Sequence, residues 1–515
     1  MSPAPGLIKA RANLLIGRRS ARNPGFLGRL SCLDVASLGD EDPDMKPGDT
    51  FRAEVDPLGN VQVPAQALWG AQTQRAVENF PVSGWTIPRR IIRALALIKR
   101  SAAQVNRGLG ALSPERADAI VRAAGEVADG QHDDQFPVDV FQTGSGTSTH
   151  MNVNEVIGNR AILLLGGQPG SKSPVHPNDH VNLGQSSNDV FPSAVHIAAA
   201  ESLAHDLLPA LAALQAALGD RAAAFHEVIK IGRTHVQDAV PIRLGDELGG
   251  YATMVKNAAQ RVQQAQPALF ELALGGTAVG TGFGAQPGFA AAVIAQVASE
   301  TGLPFTQAPD LREALGARDA LVALSAALRG TAVSLSKIAN DLRWLGSGPR
   351  CGLGEIRLPA LQAGSSLMPG KVNPVMAEML LMVAAQVVGN DATVAWAGAG
   401  GVLELNAMIP VMAFNVLQSL QILANGSRLF ASRCVAGLQA NPERCAELVE
   451  RSLSLATALL PRLGYDGAAA VVNQAVATGK TLRQICLEQK LIDADELDRL
   501  LDPRAMVGGA GAPGR

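Results

Sequence analysis

Residues 364–378 read GSSLMPGKVNPVMAE, and this stretch joins a loop to the start of a long apolar helix. Glycine and proline punctuate its first half and favour irregular backbone there. In the second half, Asn373 is a good helix N-cap, and Pro374 suits the first helical position, where its missing N–H costs nothing. The free N–H groups of the helix would then point back at the loop. The stretch therefore predicts a helix N-terminus that can hold an anion.

Hydroxyl, ammonium and amide groups gather at this predicted helix end, supplied by Ser365, Ser366, Lys371 and Asn373. Chemistry on a carboxylate substrate would need such donors. The same residues also fit a plain Gly/Pro loop followed by a capped helix. Physical chemistry alone does not separate these two interpretations.

The composition excludes several classes of protein. The chain has 515 residues, of which 47% are hydrophobic and only 4% aromatic, and its alanine and leucine content favours helices. A net charge of −2 creates no general attraction for nucleic acid or an anionic membrane. The five cysteines lack C-x-x-C spacing, so neither a zinc site nor an iron–sulfur cluster is indicated. The most apolar run, 379–388, is too short for a membrane helix and predicts a buried core helix.

The first 49 residues differ from the rest of the chain. They contain no acid before Asp34 but six arginines and lysines, and an acidic patch follows at 40–44. This composition predicts a disordered extension in a cytoplasmic protein. An Arg-rich, acid-poor leader can also be a mitochondrial transit peptide, which would place the protein in the mitochondrial matrix.

Five long apolar segments predict a mainly α fold. They are apolar on most faces, so they must be buried on most faces. We expect an elongated central helical bundle over 186–442, with smaller helical domains at 50–185 and 443–515, and assembly of several chains through the bundle. A shorter apolar stripe predicts a further core helix at 89–105. The long segments are 190–224 with a kink at Pro209, 251–268, 314–345, 374–388 and 410–429.

Two loops offer hydroxyl groups, and the second of them opens a predicted helix. QTGSGTSTHMNVNEV (142–156) carries Ser145 and Thr147 between glycines that let the backbone approach a ligand. In GQSSNDVFPSAVHIA (184–198), Ser186 and the acid three residues later form a capping box, although the proline at 192 leaves open a later helix start. Simple turns and caps would look the same.

Three other stretches carry polar groups. GRTHVQDAVPIRLG (232–245) contains His235, a residue type suited to proton transfer to or from water, although a lone histidine is more often structural. VHPNDHVN (175–182) has the composition of a turn, and a metal site there lacks enough ligands. The glycine-rich GGTAVGTGFG (275–284) lacks a nucleotide-binding pattern.

Several of these motifs are similar to one family and stand in its order along the chain. GSSLMPGKVNP resembles the G-S-S-x-M-P-x-K-x-N signature of the fumarase/aspartase superfamily. LWGAQTQRAVENFPVSG (68–84) and QSSND (185–189) resemble the class II fumarases more than the aspartases. The resemblance covers about residues 50–509. Two departures are His150, where the family usually has Asn, and Phe283–Gly284, where it has Leu–Asn.

The resemblance implies a hydratase that interconverts fumarate and (S)-malate as a homotetramer, with each active site shared between chains and with no metal or cofactor. Ser365 would be the base, and His235 with Glu378 would form an acid–base relay on water. Lys371 and Asn373 would stabilise the aci-carboxylate. The H-P-N-D loop would form a secondary anion site from His176, Pro177, Asn178 and Asp179. The substrate-binding residues would be Ser145, Gly146, Thr147, Ser186, Ser187, Asn188, Thr234, Ser366, Lys371, Val372 and Asn373.

Two alternatives belong to different classes of function. Aspartate ammonia-lyase or another lyase of the superfamily would release ammonia or a different leaving group. A binding or structural protein on an inactive lyase scaffold would need no chemistry at all. The QSSND motif disfavours the first alternative, and the presence of Ser365, Lys371, Asn373, His235 and Glu378 disfavours the second.

Overall fold

Helices dominate the structure, as the alanine- and leucine-rich sequence predicts. The computed structural model describes residues 51–508. The expected disordered extension at 1–49 therefore lies outside the described residues, and so does the tail past 509, whose Gly/Ala/Pro composition also predicts disorder. The helices are α1 (Ala71–Asn79), α2 (Arg89–Gly108), α3 (Pro114–Ala128), α4 (Thr147–Leu164), α5 (Ser187–Ser202), α6 (Leu208–Ala224), α7 (Leu244–Ala265), α8 (Phe289–Thr301), α9 (Leu311–Gly316), α10 (Asp319–Leu345), α11 (Val375–Gly398), α12 (Ile409–Phe430), α13 (Pro442–Arg451), α14 (Leu460–Thr478), α15 (Leu482–Glu488) and α16 (Ala494–Leu500).

Short strands pair two by two between the helices. The longest pairs are the antiparallel hairpins β1–β2 and β3–β4, and only β5–β6 is parallel among the described pairs. These ribbons are too small to form a core and serve instead to fix loops. The strands are β1 (Phe51–Asp56), β2 (Gly59–Pro64), β3 (Ile229–Thr234), β4 (Gln237–Arg243), β5 (Glu271–Leu272), β6 (Thr306–Gln307), β7 (Ile356–Arg357), β8 (Gly401–Val402), β9 (Leu405–Asn406) and β10 (Gln439–Ala440).

The predicted bundle is confirmed and is built from α5–α6, α7, α10, α11 and α12. Helix α6 packs on α7, α7 on α10, α10 on α11, and α11 on α12, which returns to α6. The kink predicted at Pro209 is a single wide helical turn, Leu203–Leu207, directly before that proline. One continuous apolar cluster fills the bundle and extends into the helices that precede it.

Two bundle helices are longer than the apolar pattern predicts, because polar residues take part in them. Helix α7 begins at Leu244 with Asp246 and Glu247 in its first turn, where the helix dipole favours negative charge. Helix α11 continues ten residues past 388. Its Asn390 donates to the Ser419 hydroxyl at 3.0 Å, and its Asp391 accepts from the Ser325 hydroxyl at 2.8 Å. These partners let polar side chains lie between helices.

The C-terminal helices form an apolar cluster of their own, from Val449 to Leu501, which Ile231 of β3 joins. Within α14 the backbone turns at Gly464, whose φ of 65° suits glycine. The proposed domain boundaries at 185 and 442 stay predictions.

The expectation that 379–388 is a buried core helix is wrong for the single chain. Met382 is 68% exposed and, further along α11, Trp396 is 77% exposed. By length and composition alone, α5–α6, α10 and α11 could each cross a membrane, and 61%, 44% and 33% of their most apolar windows are buried in the chain. Of these three segments, α11 therefore has the smallest buried share of its apolar window.

The ion pairs of Glu126 on α3 generate a pH-dependent prediction. Arg160 donates to this carboxylate at 3.1 Å and, together with His132 at 3.2 Å, lowers its pKa from 4.5 to about 2. Because folding lowers this pKa, the stabilisation is present above pH 4.5 and is lost as the pH falls towards about 2.

We expect Glu126→Gln to lower the free energy of unfolding at neutral pH and to differ less from wild type as the pH falls below 4.5. Urea unfolding at several pH values measures the difference. A difference that stays constant with pH would contradict this account of the ion pairs.

Candidate active site

The Ser365 loop is closed by two hydrogen bonds across its neck. The Gly364 N–H donates to the Lys371 carbonyl at 2.8 Å, and the Asn373 side-chain amide donates to the Gly364 carbonyl at 2.7 Å. The prediction that Asn373 caps the following helix is wrong, because α11 begins at Val375 after Pro374 and has no side-chain cap. The amide of Asn373 holds the loop instead.

Two backbone N–H groups point at the Ser365 hydroxyl. The N–H groups of Leu367 and Met368 donate to its Oγ at 3.1 and 2.8 Å. Donors in this position stabilise negative charge on the oxygen more than they stabilise the neutral hydroxyl. The Lys371 side chain is exposed and makes no hydrogen bond to Ser365 within the described residues. Ser366 and Val372 are exposed beside it.

A chain of hydroxyl groups joins the starts of two helices. Ser145 Oγ lies 2.7 Å from Thr147 Oγ1, which lies 2.7 Å from Ser187 Oγ. Thr147 is the first residue of α4 and Ser187 is the first residue of α5. The positive ends of two helix dipoles therefore meet at these hydroxyls, where an anion would be favoured.

The capping box at the start of α5 is confirmed, so the helix starts at Ser187 and accommodates the proline at 192. Ser186 Oγ accepts the Asn188 N–H at 3.2 Å, and Asp189 Oδ1 accepts the Ser186 N–H at 3.0 Å. The Asn188 side chain donates to the Ala278 carbonyl at 2.9 Å. The 186–188 turn is thus fixed on both sides.

The glycines at 144 and 146 make room for the protein itself, rather than for a ligand. A Cβ on Gly144 would lie 1.7 Å from the Ala407 carbonyl oxygen. Gly146 has a φ of 77°, and a Cβ there would lie 2.4 Å from the Phe191 ring. The loop can therefore pack against the bundle only with glycine at both positions.

Buried Asp189 ties the glycine-rich loop to α5. Its Oδ2 accepts the N–H groups of Gly275 and Thr277, both at 3.0 Å. Burial raises the pKa of this carboxyl, and the backbone donors oppose that rise. Phe283 is 89% exposed at the far side of the same loop, and Gly284 has a φ of 87°, so the departure at these two positions lies at the surface of the chain.

Thr234 and His235 lie at the tip of the β3–β4 hairpin, and both are exposed. His235 and Val236 have φ values of 55° and 62°, which is the backbone of a tight two-residue hairpin loop. The His235 side chain makes no hydrogen bond within residues 51–508. Below the tip, Arg233 donates to fully buried Glu355 at 3.0 Å and anchors the hairpin.

The predicted residues form three separate groups in one chain. The hydroxyl cluster at 145–147 and 186–188 is assembled, whereas the 234–235 tip and the 364–373 loop each stand apart. Glu378 is exposed in the first turn of α11 and forms no ion pair with His235 in the part of the chain that is described. A single chain therefore holds the parts of the predicted site without joining them.

The sequence stretch at 68–84 contributes to a cavity beside the hydroxyl cluster. Gln72 and Arg75 line this cavity of about 360 Å³ together with Thr147. The Arg75 guanidinium donates to Asp56 at 2.7 Å, and this bond lowers the pKa of Asp56. The cavity leads from the surface to the positive end of α4.

The H-P-N-D loop is a short turn next to a different cavity. His176 Nδ1 accepts the N–H groups of Asn178 and Asp179, both at 3.2 Å, with Pro177 as the first residue of the turn. With Nδ1 accepting, the proton of the neutral ring is on Nε2. His176, Asn178 and Lys172 line a cavity of about 340 Å³.

Sequence reasoning missed two features. The N–H groups behind Ser365 carry no side-chain signal, so only the folded loop reveals them. Lys99 stands next to the apolar stripe of α2 and was given no role, yet its buried ammonium contacts His150, the residue that departs from the family pattern, at 2.7 Å. A lysine within an apolar helix stripe was the available signal, because buried lysines need specific partners.

Comparisons with known proteins show which family the chain is similar to. A family model described as Lyase matches residues 59–389, and one described as Fumarase C C-terminus matches residues 455–508. The chain is 55% identical over 462 residues to the class II fumarate hydratase of Mycobacterium tuberculosis strain H37Rv, which covers 89% of this chain and 96% of that one. The corresponding protein of Thermosynechococcus vestitus is 52% identical over 460 residues, with 89% and 98% covered.

A solved structure gives the same result. The recombinant class II fumarase of Schistosoma mansoni superimposes with a TM-score of 0.86 at 42% identity, and the match covers 90% of this chain and all of that one. The sequence motifs, the helical bundle and these relatives together show that the chain belongs to the class II fumarate hydratase family.

Proposed function

We propose that the chain adds water reversibly to fumarate to give (S)-malate, with Ser365 as the base for the carbon-bound proton. The observation that carries the proposal is the pair of backbone N–H groups on Ser365 Oγ. A serine hydroxyl is a poor base unless its alkoxide is stabilised, and these donors supply that stabilisation. The helical fold and family membership agree with this activity.

The reaction in the dehydration direction removes a proton from the carbon next to one carboxylate. The electron pair of that C–H bond moves into the carboxylate and gives a doubly charged aci-carboxylate. Lys371 and Asn373 lie at the mouth of the loop, where an added negative charge would be stabilised. The electron pair on the aci-carboxylate then returns to form the C=C bond while the C–O bond breaks. His235 protonates the departing hydroxide.

The hydroxyl cluster fits the carboxylates of the substrate. Two helix N-termini and the hydroxyls of Ser145, Thr147 and Ser187 converge within hydrogen-bond distance of one another. The Ser186 and Asn188 groups next to them are already fixed in position. Donors that are held in place before binding lose little entropy when a carboxylate arrives.

Assembly of four chains would join the three groups into complete sites. Thr234, His235 and the Ser365 loop are exposed in the single chain, and so are apolar residues of α11 such as Met382 and Trp396. Apolar surface of this kind is typical of an interface between subunits. We therefore propose a homotetramer in which Glu378, His235 and Ser365 of different chains meet at one site. The loop at 176–179 is proposed as a secondary anion site.

We expect Ser365→Ala to lower kcat by about a hundredfold or more, because it removes the oxygen that the two backbone N–H groups support as a base. The formation of fumarate from malate, followed by its ultraviolet absorbance, measures kcat, and size-exclusion chromatography checks the assembly. Near-normal turnover by the variant would remove Ser365 from the base role. Release of fumarate from aspartate but not from malate by the wild type would contradict the proposed reaction.

We expect Thr147→Val to raise KM for malate roughly tenfold, since the substitution removes the hydroxyl that links Ser145 to Ser187. Thr149→Val is the matched control. It lies two residues later on the same helix and loses a buried hydroxyl that bonds only to Gln142, at 2.9 Å. Equal KM changes in the two variants would show that the effect is structural.

Sharing of sites between chains predicts that two inactive variants restore each other. Ser365→Ala and His235→Asn chains, co-expressed with different tags and purified as hybrids, should regain part of the activity, because some sites take Ser365 from a His235→Asn chain and His235 from a Ser365→Ala chain. A hybrid of two differently tagged Ser365→Ala chains is the control. Hybrids without activity would place Ser365 and His235 of one site on the same chain.

A further inference from the structure

Lys99 is a buried lysine beneath the hydroxyl cluster. It lies on α2, is fully buried, and its Nζ makes three hydrogen bonds. The acceptors are His150 Nε2 at 2.7 Å, Asn182 Oδ1 at 2.9 Å and Gln185 Oε1 at 2.9 Å. An ammonium group has three protons, so all three are used.

His150 is the neutral partner in this contact. Burial and the nearby Lys99 charge lower its pKa, so the imidazole accepts at Nε2 and carries its proton on Nδ1. Burial also lowers the pKa of Lys99, whereas the charge of Asp189 raises it. The geometry therefore sets Lys99 Nζ against one imidazole nitrogen and two amide oxygens.

The three acceptors belong to segments that carry the hydroxyl cluster. His150 lies on α4, one turn after Thr147. Asn182 and Gln185 close the turn that leads into Ser186, where the Gln185 N–H donates to the Asn182 carbonyl at 3.1 Å and the Asn182 side chain donates back to the Gln185 carbonyl at 3.2 Å. Lys99 therefore fastens the first turn of α4 to the segment before α5.

A buried carboxylate holds the other side of the same turn. Asp189 accepts the Ser186 N–H, and through Gly275 and Thr277 it holds the glycine-rich loop. The 186–188 turn thus runs between the buried Lys99 and Asp189 side chains. Neither side chain is among the groups that the proposed reaction uses.

We propose that Lys99, held by His150, is a positioning residue that sets the spacing between the α4 and α5 N-termini and thereby the affinity for the substrate carboxylate. The inference rests on the proposed function for the identity of the ligand. Its geometric basis is the set of three hydrogen bonds, which links both helix starts to one ammonium group. Because Lys99 lies beneath the carboxylate-binding groups and apart from Ser365 and His235, its loss should change binding more than the chemical step.

Three substitutions test this role. His150→Leu removes one acceptor and leaves a buried ammonium proton unpaired, and Lys99→Met leaves three acceptors unpaired. Each should raise KM for malate, and Kd for succinate measured by calorimetry, at least about tenfold while kcat falls less. His150→Asn keeps a side-chain acceptor, which is the residue type the family usually has, and should keep both constants within a few-fold of wild type.

Val153→Ala is the control for a purely structural effect. Val153 is fully buried on the same helix, so its truncation leaves a cavity and lowers stability while all three hydrogen-bond partners of Lys99 remain. It should lower Tm and leave KM and the succinate Kd unchanged. If Lys99→Met does not fold, His150→Leu still decides, because it retains the lysine.

The outcomes separate this inference from the proposed function. Wild-type succinate affinity in His150→Leu or Lys99→Met, with a lowered Tm like that of Val153→Ala, would overturn the positioning role. A weakened affinity in His150→Asn equal to that in His150→Leu would also overturn it. Failure of the wild type to turn over malate would contradict the proposed function, and the succinate Kd values would still test the spacing of the two helix starts.

Discussion

The contact between the Thr147 and Ser187 hydroxyls is the point on which the candidate site depends. Two helices begin there, and each brings a positive dipole end and unpaired backbone donors. Side by side, such ends repel one another. They stay together because both helices are part of the same apolar cluster, and because buried side chains form hydrogen bonds with the segments around them. The hydrophobic packing of the bundle thus holds together a site whose positive potential favours a negatively charged ligand.

The sequence predicts the helical class, the five long helices and the capping box of α5, because each follows from a local pattern of apolar spacing or capping residues. It predicts helix lengths less well. The ends of α7 and α11 contain acids and amides whose partners lie on other helices, and a local pattern cannot show those partners. Asn373 is a similar case, since its side-chain amide donates to the backbone carbonyl of a residue nine positions earlier and does not cap the helix that follows it.

The candidate site residues were predictable as residue types, and their grouping was not. Motifs at 145–147 and 186–188 meet because α4 and α5 pack together, whereas His235 and Ser365 remain on separate surfaces of the chain. Their expected roles come from the family resemblance. Only the folded chain shows the N–H groups that donate to Ser365 and the contact of Lys99 with His150. Such contacts join residues far apart in sequence, so no spacing rule reveals them.

Helix α11 starts at the Ser365 loop and carries exposed apolar side chains along its length. If chains associate through this face, the helix that contacts the partner chain is also the helix that begins at the reactive loop. Quaternary structure and reactivity then depend on the same helix. A newly made chain would have no complete site until it associates with its partners. Cellular activity would therefore rise more steeply than protein concentration at low expression, and a damaged interface would silence the chemistry without any change in the loop itself.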